Sequence, residues 1–517
     1  MAKKTKVLLI SGLLLVLMLS SVFIYRKMKF MWKLFNEKMD YATLMMKYEN
    51  SRWEDNVVKI SFDGQELSLD TASQGMSLEF SSLNTEGEVP VTFTCSDIYE
   101  ITMDGIPAIS GETFLYQVKK IAPDYYIPIT LYNTITYESK NFSIRTFPSA
   151  LPTYTVVRGE NSPLPGFYYV TPFMSVGGAV YKLDINGNTV FYKYSPYTPY
   201  WDFKQADTPD GIRYIYCQQV PSQHTPKAYT ASVEYVILDE DYHELKRLRM
   251  EKSEKIPDDN WPADQHDMLY ISDSEYYLLA YVNKNVTNIP ENVPHKESGT
   301  LVAASLIQGF RDGKLFFEWD SSDYPELYEE SYEYNDFTNN SNEPADYAHI
   351  NSIDLDRRDG NIIVSFRNLN SVFKLDTNTG SILWKLSGTD DSFGLTPDQK
   401  TSRQHYARYN DNGSITIFDN GNENRQTRIT EYWLDEDNKS LKDFSSYQID
   451  NYYSWATGST QRLSDEVDVF MVGWGMKGEG TPYYQPNFSE IDFTNNKILF
   501  EFRFDDASIN TYRCVKY

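Results

Sequence analysis

Six histidines occur in 517 residues, and His266, His349 and His405 share a setting that the others lack. Each opens a run that reads strand, turn, strand: QHDMLYISDSEYYLLAY from Gln265, HINSIDLDRRDGNIIVSFR from His349 and QHYARYNDNGSITIFDN from Gln404. His266 and His405 stand the same distance ahead of their turns, Asp273-Ser274 and Asn412-Gly413, while His349 reaches Asp359-Gly360 through a slightly longer one. Strands in matching register bring three imidazoles into one pocket, and convergent titratable groups in a cleft mark a site. Arg367 ends the run begun by His349 and adds a fixed positive charge. Asn351, two residues after His349, falls on the same face of an alternating strand. A neutral imidazole is a nucleophile near neutral pH, and imidazolium plus guanidinium stabilise oxygens that gain charge. Zinc or copper is the other chemistry of three histidines, but carboxylates at ligand spacing are missing and Arg367 opposes a cation. The expectation is therefore no metal and no cofactor, and transfer of a sulfuryl or phosphoryl group.

The elements that must position these residues repeat along the chain. One half-unit recurs six times: VYKLDINGNTVFYKY from Val180, VILDEDYHELKRLRM from Val236, SLIQGFRDGKLFFEWD from Ser305, FKLDTNTGSILWKLSG from Phe373, TEYWLDEDNKSLKDFSSY from Thr430 and SEIDFTNNKILFEFRF from Ser489. The histidine-led runs, with GSTQRLSDEVDVFMVGW from Gly458, lie between these copies, so two hairpins make one four-stranded unit. Radial packing buries both faces of such sheets and leaves short edges. The fold class expected is all-β: a six-bladed β-propeller over residues 165–517, with residues 510–516 completing the first blade. Residues 55–150 alternate apolar and polar positions in short runs and read as a small β-sandwich-like domain, with the proline-spaced stretch 148–165 as boundary. Aromatic residues at 15% suit half-buried strands.

Residues 7–25 form an uncharged apolar run between lysines and Arg26-Lys27, long enough to cross a bilayer. No small-x-small site follows Ser20-Ser21, so residues 1–54 read as an uncleaved signal anchor plus amphipathic stalk. Met28, Trp32, Phe35, Met39, Ala42 and Met46 recur at helical steps, and a dimerising seam giving a homodimer is the other reading of that stalk. Localisation follows: a single-pass cell-membrane protein with an extracytoplasmic catalytic domain, the alternative being secretion after cleavage.

Net charge of −25 repels phosphate backbones, so no nucleic-acid partner is expected. Cys95, Cys217 and Cys514 match no metal or redox spacing. Residues 473–478 match GxGxxG, but a loop rather than a helix follows; no P-loop and no GxSxG elbow occur. Residues 320–346 hold nine acids and no base, and read as a solvated loop, with a lid or calcium site as the minority alternatives.

The runs DYAHINSIDLDRRDGNIIVSFRNLNSVFKLDTNTGSILWKLSG from Asp346, SRQHYARYNDNGSITIFDNGN from Ser402 and RQTRITEYWLDEDN from Arg425 resemble the arylsulfate sulfotransferase family, as does the closing NTYRCVKY. The resemblance implies sulfuryl transfer from a phenolic sulfate donor to a phenol acceptor by a ping-pong path without a nucleotide. It makes His405 the nucleophile that becomes sulfohistidine, and His349 with Arg367 the anion-binding pair beside Asn351. His266 is implied as acid and base, or phenolate stabiliser. Tyr347 stands where tryptophan is frequent and Tyr406 where a small or acidic residue often follows the nucleophile, so both are expected on the aryl pocket. The rival reading is a non-catalytic propeller that binds ligands or partners at the cell surface; a sulfatase would differ only in using water as acceptor.

Overall fold

The computed structural model describes residues 57–62, 65–70, 77–79, 87–221, 231–259, 261–296, 298–333, 336–338, 343–482 and 484–517, with Thr43 and Met46. The apolar run 7–25 lies outside the described residues, as does the 28–46 stalk or seam apart from Thr43 and Met46. No helix among the described residues is long and apolar enough to cross a membrane. The protein is all-β, built of many antiparallel sheets with few and short helices. Its contacts divide it into two units, Met1–Ala150 and Leu151–Tyr517.

In the first unit, strands Gln65–Asp70, Val57–Phe62, Gly87–Thr94 and Thr113–Val118 form one sheet in that order. A second runs Ser77–Glu79, Glu138–Arg145, Tyr126–Asn133, Tyr99–Met103 and Ile106–Ala108, its first pair parallel. Period-two alternation explains both: Val58, Ile60 and Phe62 are buried on one strand, Ile127, Ile129 and Leu131 on another, with exposed or half-exposed residues between.

The second unit carries six antiparallel sheets of four or five strands among its described residues, and a two-stranded one made of Ser454–Ala456 and Met476–Lys477. Four follow the chain in simple order, and the edge strands that matter are Tyr200–Thr208, Met268–Tyr270, Ile350–Leu355 and His405–Tyr409. The C-terminal strand Thr511–Lys516 pairs antiparallel with Tyr168–Pro172 at the edge of the sheet built from the start of the unit. The remaining sheet begins at Ser459–Arg462 and ends in Tyr154–Arg158, which pairs with Lys497–Phe504. Residues 148–165, whose prolines suggest a boundary, thus contain a strand, because TYTVV is a β-favouring run that the flanking prolines leave intact.

Inner strands such as Ile362–Phe366, Ile415–Asp419 and Phe488–Asp492 are buried at every position, and the polar residues among them, such as Thr416, Ser489 and Glu490, are buried with the apolar ones. The aromatic content fills the gaps between sheets: Tyr168 stacks on Phe500 with centroids 4.7 Å apart, and Phe488 on Phe502 at 4.9 Å.

Polar contacts join the leading edges of successive sheets. Arg513 Nη1 donates to Asp202 at 2.6 Å, and Lys204 Nζ to Asp267 at 2.7 Å. The Ile353 amide donates to Asp267 at 3.1 Å, and the Ala407 amide to Ser352 Oγ at 3.1 Å. The Thr457 amide donates to His405 Nε2 at 3.2 Å, and the Cys514 amide to Ser459 Oγ at 3.1 Å, which returns to the C-terminal strand.

Candidate active site

The three histidines stand at the starts of leading strands, where the backbone departs from regular pairing. His349 has φ +58°, and near His405 two residues do likewise: Arg403, two positions before it, at +59° and Tyr406, next after it, at +53°. Strand register shifts between Ile350 and Ser352 and between His405 and Arg408. Left-handed non-glycine residues and bulges of this kind re-aim side chains and concentrate at functional sites. They also interrupt the alternation expected between His349 and Asn351. Asn351 is buried, donates from Nδ2 to the Gln404 carbonyl at 2.8 Å, and its Oδ1 meets no partner among the described residues.

The rings of His266 and His349 lie edge to face with centroids 5.0 Å apart, and Tyr281 packs beside both. Tyr512, on the C-terminal strand, is 5.5 Å from His266. All three imidazoles are nearly inaccessible to solvent. His405 belongs electrostatically to the same group, since Arg367, His349 and His266 all act on its protonation.

What separates the histidines is the partner at Nδ1. His349 faces the Asp346 carboxylate at 2.6 Å, and His266 is hydrogen-bonded to Asp264. His405 Nδ1 instead faces Asn420 Oδ1 at 2.7 Å. Asn420 cannot be turned round: its Nδ2 donates to the Ser454 carbonyl at 2.7 Å and the Thr457 carbonyl at 3.0 Å, so its oxygen must face the imidazole. That oxygen only accepts, so the proton of neutral His405 resides on Nδ1. Nε2, which accepts the Thr457 amide at 3.2 Å, carries the lone pair. Burial, then Arg367, push the His405 imidazole well below its ordinary pKa, with Asn420 opposing. Burial also lowers His349, where the Asp346 carboxylate pulls the other way.

Arg367 is buried, and its backbone amide donates to the His349 carbonyl at 2.9 Å. Its Nη1 donates to Asn368 Oδ1 at 2.8 Å and to Glu333. Glu333 also pairs with Arg403, Oε1 lying 3.0 Å from Nε. Burial raises the Glu333 carboxyl, but Arg367 and Arg403 outweigh it and hold it below the usual carboxylate range. Both Glu333 and Asp346 come from the acidic 320–346 segment, which therefore faces the site rather than solvent alone.

Beneath the histidines lies a buried charge network. Asp267 accepts from Lys204 at 2.7 Å, Arg513 at 2.9 Å and Arg408 at 2.7 Å, while Arg513 Nη2 donates to the His266 carbonyl at 3.0 Å. Burial alone would raise Asp267, yet Arg408, Arg513 and Lys204 hold it far below its ordinary value. A cavity of about 620 Å³ opens farther along the same strands, lined by Asp354, Tyr406, Arg408 and Tyr409 among others, and by none of the three histidines.

The two tyrosines expected on an aryl pocket have different surroundings. Tyr347 is fully buried in an apolar cluster, its ring 4.6 Å from Tyr328 and its hydroxyl on Ser321 at 2.7 Å. Tyr406 turns toward the charge network, with the Arg408 guanidinium 3.7 Å over its ring. Of the other histidines, His243 is exposed, His295 bonds the Val293 carbonyl and His224 lies outside the described residues. Among the described residues one carboxylate cluster has metal-ligand proximity, Asp356, Asp359 and Glu436, and Lys374 Nζ already reaches all three at 2.6 to 2.7 Å.

Sequence reasoning did not single out Asp264, Asp346, Glu333, Asn420, Thr457 or Arg513. Asp264 and Asp346 carried a faint signal, standing two and three residues ahead of a histidine of the shared set; Asn420 closes the FDN that follows the His405 hairpin.

Residues 235–487 match the family described as Arylsulfotransferase (ASST). No curated protein matches the sequence. Among solved structures, an auxiliary nutrient binding protein from Bacteroides thetaiotaomicron is similar at 11% identity and TM-score 0.30, over 82% of this chain and 85% of that one. A puromycin hydrolase is similar at 10% identity and TM-score 0.30, over 77% and 51%. Hydrazine synthase from Kuenenia stuttgartiensis follows at 9% identity and TM-score 0.28, over 73% and 96%. At such distances these likenesses bear on neither substrate nor mechanism.

Proposed function

From the match of residues 235–487 to the arylsulfotransferase family we propose that the protein moves a sulfuryl group from a phenolic sulfate ester to another phenol, through sulfohistidine at His405. The family supports sulfotransferase activity in general and implies phenolic substrates. The observation that carries the finer reading is that His405 alone pairs Nδ1 with an amide, leaving the lone pair on Nε2.

In the first half-reaction the Nε2 lone pair forms the N–S bond as the S–O bond to the aryl group breaks. The leaving phenolate takes a proton from His266, whose Asp264 partner stabilises the imidazolium that gives it. Arg367 and His349 hold the equatorial oxygens. Asn420 keeps the Nδ1 proton in place, because an amide oxygen accepts the hydrogen bond without taking the proton, and a protonated ring remains a good leaving group. In the second half-reaction an acceptor phenol gives its proton back to His266, attacks sulfur and returns the N–S electron pair to Nε2.

The scaffold in this reading is a six-bladed propeller. Its support is the unbroken succession of contacts from Arg513 through Asp202, Lys204, Asp267, Ile353, Ser352, Ala407, His405, Thr457 and Ser459 back to Cys514. We place the catalytic unit outside the cytoplasm, held by residues 7–25, on the strength of that apolar run and the acidic remainder; membrane fractionation tests this.

The decisive experiment incubates the full chain with 4-nitrophenyl sulfate, with and without phenol. Expected are nitrophenolate release that depends on the acceptor and an acid-labile adduct of sulfuryl mass on His405, both lost in His405→Ala. Absence of turnover across a broad panel of aryl sulfates, with protein shown to be folded, would favour a propeller that only binds. Release that needs no phenol would make it a sulfatase.

A further inference from the structure

Sulfate and phosphate monoesters both present three terminal oxygens on a tetrahedral centre, so shape separates them poorly, whereas charge separates them by one unit. The acidic segment bears directly on that difference. Its Glu333 bridges Arg367 and Arg403 from one side. The side-chain hydrogen bonds of Arg367 to protein leave from Nη1; among the described residues Nη2 and Nε meet no acceptor.

We propose that Glu333 is the counter-charge that makes the Arg367 pocket select a singly charged, sulfate-type ester over a doubly charged, phosphate-type one. The inference rests on the reading that Arg367 holds the transferred group. Around that group the fixed positive charges are Arg367 and Arg403, and the fixed negative ones are Glu333, Asp346 and Asp264. With the histidines neutral, as they are in alkali, these charges leave one negative charge uncancelled, so each charge that an anionic ligand brings is opposed, and a dianion is opposed about twice as strongly as a monoanion. Glu333 is well placed to stay ionised, since two guanidinium groups face it.

The test compares equilibrium binding of phenylmethanesulfonate, a monoanion that cannot donate a sulfuryl group, with phenylmethanephosphonate in alkaline buffer, where it is doubly ionised. Wild-type protein should prefer the sulfonate. Glu333→Gln removes one negative charge a few ångströms away, so binding should tighten by roughly tenfold for the monoanion and about a hundredfold for the dianion. The preference ratio therefore moves about tenfold toward phosphonate. Glu333→Asp keeps the charge and should keep the wild-type ratio. Binding of the sulfonate with a ratio unchanged in Glu333→Gln would overturn this inference alone. Failure of the wild type to bind either compound would take the sulfuryl-transfer reading down with it.

Discussion

Replacing Asn420 with aspartate puts a carboxylate where the amide now accepts from His405 Nδ1 at 2.7 Å. The new charge stabilises the imidazolium form, and protonated His405 has no lone pair on Nε2. Two unit charges about 4 Å apart interact by roughly 4 kcal/mol at an effective dielectric near 20. At about 1.4 kcal/mol per pKa unit this sets a ceiling near three units, and the cost of burying the pair trims it to about one or two. The His349–Asp346 pair shows that burial still acts against a carboxylate at 2.6 Å. The acid limb of kcat/KM for 4-nitrophenyl sulfate should therefore move up by about one to two units, with activity recovering in alkali. The second carboxylate oxygen also confronts the Ser454 and Thr457 carbonyls, which lose their donor, so the fold should weaken by about 2 kcal/mol in denaturant unfolding. A direct check is the ¹⁵N signature of the His405 ring, which should show the neutral Nδ1–H form in wild type and give way to the doubly protonated form at a pH about one to two units higher in Asn420→Asp than in wild type. An acid limb that stays put while activity falls equally at every pH would refute the assignment of Asn420 as the residue that sets the tautomer.

Arg513→Met removes the guanidinium shared by Asp202 and Asp267 and exposes both carboxylates to partial compensation by Lys204 and Arg408; a loss of about 3 kcal/mol in unfolding free energy is expected, with turnover falling through His266, whose carbonyl Arg513 holds. Stability should also fall on acidification. His405 and His349 are depressed in the folded state, so between their folded values and about 6.5 the unfolded chain binds more protons, and stability present above about pH 6.5 declines as pH drops through that window. Thermal midpoints against pH should show this slope, reduced in His405→Gln.

Much was legible in the chain because its causes are local. Turn residues, alternation and β-branched runs delimit hairpins, and the recurrence of those hairpins places His266, His349 and His405 in matching positions. The all-β class, the histidine set, Arg367 and the family motifs all follow from patterns within a few dozen residues. The partners that differentiate the histidines do not. Asn420 is brought to His405 from the far end of its hairpin, Glu333 reaches Arg367 from a segment whose composition resembles a solvated loop, and Arg513 meets Asp202 and Asp267 from the opposite end of the unit. Tyr347 carries an aromatic side chain at a motif position, yet its ring packs into the core against Tyr328 and Phe337, residues from the acidic segment. Hydrogen-bond partners and protonation depend on distances of about 3 Å between atoms on different sheets. Local sequence sets which residues form each strand, and only the packing of the strands sets which atom of one faces which atom of the next.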